Sequence, residues 1–322
     1  MEVYEPSLDE KNLEKTRKGF KLLFHARKDL DLGDDVIENL MQGLIDFHIH
    51  AAPDTASNRI YDEEDIALRA CEAGMKAVVF KCHSTPSSAR APLIQKNVNK
   101  WAKANGKHPV DIFSGVVLNY SVGGLNVEAV NTSVQLGGKF VWTPSKDSSH
   151  HYRVMGKKGG IEVLTDKDKV VPALRDIFEV IREQGLILGL SHHTVRERFI
   201  LIEEARKCGI QKIVVNHPLG EINRATPEQI SQMAEMGAFI GVTYVTSIPN
   251  LYSTEASRED MLEVFKLVGF DRIVGGTELT QAGNPHPVDG FKLWLRILLF
   301  LGVQEEEVRK MFDKTPSLLL YQ

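Results

Sequence analysis

Five side chains with metal-binding chemistry stand at the ends of short apolar segments. The segments LIDFHIH, LILGLSH, KIVVNH and RIVGGTE carry at their ends His48 and His50, His192, His217 and Glu278. The spacing of two within the first pair places both rings on the same side of an extended chain. Imidazole and carboxylate groups together are ligands for Zn, Mn, Fe or Ni. The pattern therefore predicts a site for a divalent transition metal, with His193 as the alternative to its neighbour His192.

Eight segments of this kind alternate along the chain with longer stretches of helical character. Such alternation is typical of βαβ units and a parallel sheet. Eight units favour an α/β fold that closes into a TIM-like (β/α)8 barrel. The alternative is an open doubly wound sheet, but no glycine-rich phosphate loop follows the first segment. The predicted strands are 44–50, 76–81, 111–119, 139–144, 186–192, 212–217, 238–244 and 272–278.

The barrel is predicted to occupy residues 44–322, behind an N-terminal helical extension of residues 1–43. Within the extension, the segment 13–27 mixes apolar residues with many Lys and Arg, so we expect it to pack on the barrel or on a second subunit. All strands of a parallel barrel end at one face, where active sites lie. We therefore expect the five metal-binding side chains to converge there, with the long loop 145–168 as a candidate lid.

The composition is that of a soluble globular protein, with 43% hydrophobic and 25% charged residues. A formal charge of −4 and the lack of a clustered basic face argue against a nucleic-acid partner. No apolar run reaches the length of a membrane span, and the polar N-terminus does not resemble a secretion signal. The three cysteines are widely spaced, which predicts reduced thiols and a cytoplasmic location.

Several segments resemble the amidohydrolase superfamily and, within it, an amidohydrolase-like branch classified as a domain of unknown function. They are DFHIHAAPD, GMKAVVFKCH, VVLNYSVGGLN, SHHTVRE, VNHP and GTELTQAGNP, and the resemblance covers residues 44–318. It implies that His48, His50, His192 and His217 are metal ligands. Glu278 falls where the superfamily has aspartate. Because glutamate is one methylene longer, either the metal sits lower in the barrel or this acid does not ligate it directly.

A second departure from the superfamily concerns the fourth predicted strand. Many members with two metals carry a bridging carboxylated lysine or a glutamate there, but this strand ends Val-Trp-Thr-Pro, and Lys146 lies beyond it. The second predicted strand ends instead in Lys81, Cys82 and His83. A carboxylated Lys81 or the Cys82 thiolate is one candidate bridge. The alternative that we favour is that Lys81 lies in the site and binds an anionic group, while Cys82 is buried.

The resemblance implies hydrolysis of an amide, lactone or ester-like bond in a small molecule. Glu278 and Lys81 are then the catalytic candidates, and Arg59, Lys81 and Asn119 the substrate-binding candidates. Zinc is the first choice of metal, with Mn, Fe or Ni as alternatives and one or two ions bound. A homo-oligomer is expected. The rival functions are a metal-dependent non-oxidative decarboxylase and a metal-binding or ligand-binding barrel without turnover.

Overall fold

A computed structural model of the chain describes residues 32–250, 253 and 257–322. Within that part, nine short strands follow one another and every hydrogen-bonded pair is parallel. They form ladders in the orders β1-β2-β3 and β4-β5-β6-β7-β8-β9. The strands are β1 (Ile45–Ile49), β2 (Ala77–Phe80), β3 (Asp111–Phe113), β4 (Gly115–Val117), β5 (Phe140–Trp142), β6 (Ile187–Leu190), β7 (Ile213–Asn216), β8 (Phe239–Thr243) and β9 (Ile273–Gly276).

The two ladders meet at both ends, so the strands surround a common interior. On one side β3 runs into β4 through the single residue Ser114. On the other side the backbone N–H of Glu278, just after β9, donates to the carbonyl of His48 in β1 at 2.8 Å. The Asp46 carboxylate in β1 accepts hydrogen bonds from the backbone and hydroxyl of Thr277, at 2.9 and 2.6 Å. This arrangement confirms the predicted α/β fold of TIM-barrel type.

Each of the eight predicted strands contains an observed one, but the third is divided. The segment 111–119 was expected to be continuous, whereas β3 and β4 are separated at Ser114. At this break the Ser87 hydroxyl accepts from the N–H of Gly115 at 3.1 Å and donates to the carbonyl of Phe80 at 2.8 Å. A side chain thus takes over backbone hydrogen bonding where the ladder changes partner strand.

Helices follow the strands and cover the outside of the barrel. A representative one, Val195–Cys208, begins with a capping box between Thr194 and Glu197 and ends at Gly209, whose φ of 96° suits glycine. The helices are α1 (Asp34–Met41), α2 (Glu63–Glu72), α3 (Ala91–Ala104), α4 (Val127–Gln135), α5 (Ser149–Val154), α6 (Pro172–Glu183), α7 (Val195–Cys208), α8 (Pro227–Glu235), α9 (Tyr244–Ser247), α10 (Arg258–Val268), α11 (Pro287–Phe300), α12 (Glu305–Arg309) and α13 (Thr315–Tyr321). None of these helices combines the length and the apolar character that a membrane span requires.

Two apolar clusters form the core because strand side chains alternate between the two faces. The inner cluster fills the barrel, with Val214 and Val274 as members, and Leu319 and Leu320 of α13 join it. The outer cluster packs the opposite faces of the strands against the helices, as at Val215. The barrel is therefore a packed scaffold, and the strand ends above the inner cluster are free for polar side chains.

The first described helix, α1, packs on the barrel. Ile37 and Met41 are fully buried, and Lys292 of α11 forms an ion pair with Glu38 at 3.3 Å. Arg296 of α11 also donates to the carbonyl of Leu32 at 3.2 Å. The helix therefore belongs structurally with the barrel. The predicted helical segment 13–27 lies outside the described residues.

Candidate metal centre

A bulge in β1 aims the two histidines of the HxH motif. The pairing of β1 with β2 is regular up to Asp46 and resumes at Ile49, with one extra residue on β1 in between. Ile45 and Phe47 belong to the inner cluster, whereas Ile49 belongs to the outer one. Bulges commonly re-aim side chains near active sites. Here the extra residue lets His48 and His50 follow Phe47 toward the same inner side.

The two rings approach each other as ligands of one metal ion would. The Nε2 atoms of His48 and His50 are 3.4 Å apart, and both residues are buried. Two nitrogens at about 2.0–2.1 Å from a tetrahedral zinc ion stand about 3.3–3.4 Å from one another. The distance therefore fits a shared ion without rearrangement.

Glu278 completes the inner group. One potential ligand atom from each of His48, His50 and Glu278 lies within 4.8 Å of the others. The Thr243 hydroxyl donates to Oε2 of Glu278 at 2.8 Å, and the other oxygen, Oε1, lies 3.7 Å from Nε2 of His217. One carboxylate oxygen is thus anchored to β8, and the other faces the histidines.

His217 is fixed beside Glu278 in an unusual backbone conformation. Its φ is 34° and that of Glu278 is 56°, in the region that favours glycine. Nδ2 of Asn223 lies 2.9 Å from Nδ1 of His217 and 3.1 Å from its carbonyl oxygen. Burial lowers the pKa of His217 to about 4, although the nearby Glu278 opposes this shift. The ring is therefore neutral, which is the form that binds metals.

His192 lies at the edge of this group, next to the segment 145–168, which was predicted to be a loop and a lid but contains helix α5. Its ring centroid is 5.3 Å from that of His217, and its Nδ1 is 2.8 Å from Nδ1 of His151 in α5. His193 points elsewhere, with Nε2 2.7 Å from the Thr143 hydroxyl. The geometry therefore favours His192 over His193 as a ligand, and the predicted lid contributes His151 to the same cluster.

Two buried cations stand beside the histidines. Lys81 is 1% exposed, and its Nζ has no hydrogen-bond partner; it lies 5.9 Å from the centre of the Trp142 ring. Burial lowers the pKa of Lys81 to about 8, partly opposed by Glu278. The side chain of Arg59 is 6% exposed and its Nε lies 3.6 Å from Asp54. These two residues bring positive charge into the site, where the carboxylates of Glu278 and Asp54 lie nearby.

Asn119 lies near the site, but its side chain is already engaged. Its Nδ2 donates to the carbonyl of His83 at 3.0 Å and to the hydroxyl of Ser145 at 3.1 Å. Its Oδ1 accepts from the N–H groups of Ser145 at 3.0 Å and Asp147 at 3.4 Å. Asn119 therefore holds the start of the lid loop, and direct contact with a substrate stays a prediction.

Two further residues complete the site. His83 stacks on His50 with ring centroids 4.4 Å apart, and Asp54, in the loop after β1, comes within ligand distance of both. His83 directly follows Lys81 and Cys82 at the end of the second predicted strand. Its position in the sequence therefore already indicates that it lies at the face where the strands end. Asp54 sits within a loop, where its distance from β2 cannot be read from spacing.

Comparison with known protein families identifies the family of this chain. The model of a family described as a family of unknown function (DUF6282) matches residues 43–241. The chain belongs to this family. No curated protein matches the sequence significantly.

Several solved structures have a fold similar to that of this chain. A putative 2-pyrone-4,6-dicarboxylic acid hydrolase from Pseudomonas putida aligns over 86% of this chain and 97% of its own, with 18% identity and a TM-score of 0.54. A 2,6-dihydroxybenzoate decarboxylase aligns over 87% and 99%, with 12% identity and a TM-score of 0.55. The dipeptidase AC, a metallopeptidase, aligns over 87% and 98%, with 14% identity and a TM-score of 0.55. At these identities the three likenesses show a shared fold, which agrees with the fold that the sequence resemblance implies.

Proposed function

We propose that this DUF6282 protein is a metal-dependent hydrolase of the amidohydrolase type. The observation that carries the proposal is the 3.4 Å approach of Nε2 of His48 to Nε2 of His50, with an oxygen of Glu278 within 4.8 Å of a ring nitrogen of each. Burial holds the pKa of both histidines well below the usual range, so the rings are neutral and ready to ligate. His217 and His192 extend the set toward the lid.

The proposed chemistry is opening of an amide, lactone or ester-like bond in a small molecule. A bound divalent ion supplies Lewis-acid chemistry, lowering the pKa of water to about 7 and polarising a carbonyl. Glu278 accepts a proton at Oε1, the oxygen not held by Thr243, and passes it to the leaving group. The long glutamate side chain suits a base that reaches past the histidine pair.

Lys81 and Arg59 indicate the charge that we propose for the substrate. The Nζ of Lys81 is buried without a hydrogen-bond partner, whereas Arg59 has its Nε 3.6 Å from Asp54 and donates from Nη1 to the Thr280 hydroxyl at 3.4 Å. A buried cation without a partner is costly unless an anion binds beside it. The substrate should therefore carry a carboxylate or similar anionic group, held by these two residues while the bond is opened.

Zinc remains the first choice of metal, with Mn, Fe or Ni as alternatives. The two imidazoles favour zinc, because the separation of their ring nitrogens matches a tetrahedral ion. A homo-oligomer in the cytoplasm remains the expected setting.

Elemental analysis of a His48→Ala/His50→Ala variant tests the proposal. Protein purified without chelator should contain metal, and the double variant should lose it while its circular dichroism spectrum stays native. His108→Ala, which replaces an exposed histidine outside the site, is the matched control and should keep its metal. Full metal retention by the double variant would eliminate the assignment.

A non-oxidative decarboxylase is the second candidate. The specific observation in its favour is the same pair of buried cations, which would hold a substrate carboxylate close to the proposed ion. One solved structure of the same fold is a decarboxylase complexed with 2,6-dihydroxybenzoate. Measuring CO2 release and acid release over one panel of carboxylated lactones and phenols separates the two reactions. Bound metal with neither product would instead favour a barrel without turnover.

A further inference from the structure

We propose that His50, Asp54 and His83 form a second divalent-cation site beside the first. One potential ligand atom from each of these three side chains lies within 4.8 Å of the others. His50 belongs to both groups, so the second ion would be a neighbour of the ion proposed at His48 and His50, beside Glu278. The inference rests on the proposed function, since it adds an ion to that same centre.

His83 is oriented as a metal-binding histidine usually is. Its Nδ1 lies 2.9 Å from the Ser145 hydroxyl, which Asn119 holds in turn at 3.1 Å. Metal-binding histidines commonly use one ring nitrogen for such a hydrogen bond, which fixes the ring and directs the other nitrogen to the ion. The ring of His83 also stacks on that of His50, at an interplanar angle of 21°. The side chain is therefore held in place before any ion binds.

Asp54 presents an unsatisfied oxygen to the same region. Its Oδ1 accepts from the N–H of Ala56 at 2.9 Å and from the hydroxyl of Ser84 at 3.3 Å. Its Oδ2 is buried and has no hydrogen-bond partner, and the side chain is 0% exposed. A buried carboxylate oxygen without a donor is strongly unfavourable, and a cation would remove that cost.

His50 has a nitrogen available for this ion. Its Nε2 faces His48, whereas its Nδ1 is buried without a hydrogen-bond partner. A single imidazole can bind two cations, one at each nitrogen, when the binding of the second ion displaces the remaining ring proton to solvent. His50 would then link the two sites, and its loss should empty both.

The buried carboxylate of Asp54 has a second possible role, which is to form an ion pair with Arg59. Its Nε lies 3.6 Å from Oδ2, so in this second explanation the carboxylate serves only to offset the guanidinium charge. The two explanations predict different effects of removing Arg59. If Asp54 is a ligand, a neutral residue in place of Arg59 removes a repelling charge and strengthens binding of the second ion. If Asp54 only neutralises Arg59, no second ion binds in either protein.

The experiment is to strip the full chain of metal, titrate it with Zn²⁺ and count tightly bound ions per chain by elemental analysis. Wild type should hold two ions, and His83→Ala and Asp54→Asn should each hold one. Arg59→Met should hold two, with the weaker ion bound more tightly, and His108→Ala should behave as wild type. Native circular dichroism spectra exclude unfolding as the cause of any loss.

The outcomes separate the two proposals. One ion per chain in wild type, unchanged in His83→Ala and Asp54→Asn, overturns the second site and leaves the first intact. No bound ion in wild type overturns the proposed function itself. A second readout comes from loading with Mn²⁺, because two adjacent ions give a spin-coupled electron paramagnetic resonance signal. That coupling should disappear in His83→Ala, and a signal already uncoupled in wild type would also overturn the second site.

Discussion

Replacing Glu278 by glutamine separates the two roles that its carboxylate can have. The Thr243 hydroxyl donates to Oε2 at 2.8 Å, and Oε1 lies 3.7 Å from Nε2 of His217. An amide of nearly the same shape keeps the packing and can still bond to Thr243. What it loses is the negative charge and the ability to accept a proton.

The expected magnitudes follow from these contacts. A hydrogen bond to a charged group contributes about 1.5–3 kcal/mol and a neutral one about 0.5–1.5 kcal/mol, so the folding cost should be about 1 kcal/mol. Loss of a general base lowers a rate by about 10²–10⁴-fold, or roughly 2.7–5.5 kcal/mol in activation free energy. The catalytic effect should therefore exceed the structural effect several-fold. If Glu278 is instead mainly a ligand, the principal loss is of metal, because a neutral amide binds a dication more weakly.

We expect the base role, because the extra methylene of glutamate lets the carboxylate reach past the ion. The assay measures metal content, urea stability and hydrolysis of an anionic ester or lactone on one Glu278→Gln preparation. Retained metal with a rate reduced at least about 100-fold supports the base. Lost metal supports the ligand. Normal metal with a normal rate would refute both roles and the hydrolytic mechanism with them.

Three further perturbations test other parts of the fold. Burial lowers the pKa of His286 to about 4, and its Nδ1 caps a helix by accepting from the Val288 N–H at 3.1 Å. Its contribution to folding stability should therefore fall by about 1–2 kcal/mol between pH 7 and 5, so in urea titrations wild type should lose that much more stability than His286→Asn, which caps without titrating. Gly276→Ala would place a Cβ 2.6 Å from the backbone N of His48, so it should cost about 1–3 kcal/mol and reduce metal content; wild-type values for both would contradict the close approach. Removing residues 1–31 should leave metal content unchanged but alter the oligomer size in light scattering, and an unchanged size would contradict an assembly role.

The strands could be predicted from the sequence because of where a parallel barrel buries them. Both faces of each strand are covered, one by the barrel interior and one by helices, so each strand is a short apolar run. KIVVNH shows this directly, since Val214 packs inside and Val215 outside. Polar residues that follow such a run must lie at the strand's carboxyl end, which is why His217 and Glu278 could be placed at one face.

The remaining features depend on register and loop paths, which local pattern does not encode. The bulge before Ile49 exists only in the pairing of β1 with β2, and Asp54 reaches His83 through the path of a loop. The division of the third strand at Ser114 depends on the hydroxyl of Ser87, which is distant in sequence. For Asn119, the sequence indicated a position at the face where the strands end, but it did not indicate the hydrogen bonds that occupy the side-chain amide.

The least favourable features of this fold lie together at the strand ends. His217 and Glu278 adopt positive φ values of 34° and 56°, and such conformations cost about 1–3 kcal/mol each. The buried ammonium of Lys81 lacks a partner, which adds a desolvation cost of several kcal/mol. Stable packing does not require unfavourable features of this kind, since the inner cluster just below consists of ordinary apolar contacts. They are understandable if a cation and an anion bind there, because each bound charge would offset part of the cost. Other residues also carry such costs, as with the positive φ of Asp168 and the unpaired Nε1 of Trp294, but the strain and charge at His217, Glu278 and Lys81 support a working site at the strand ends.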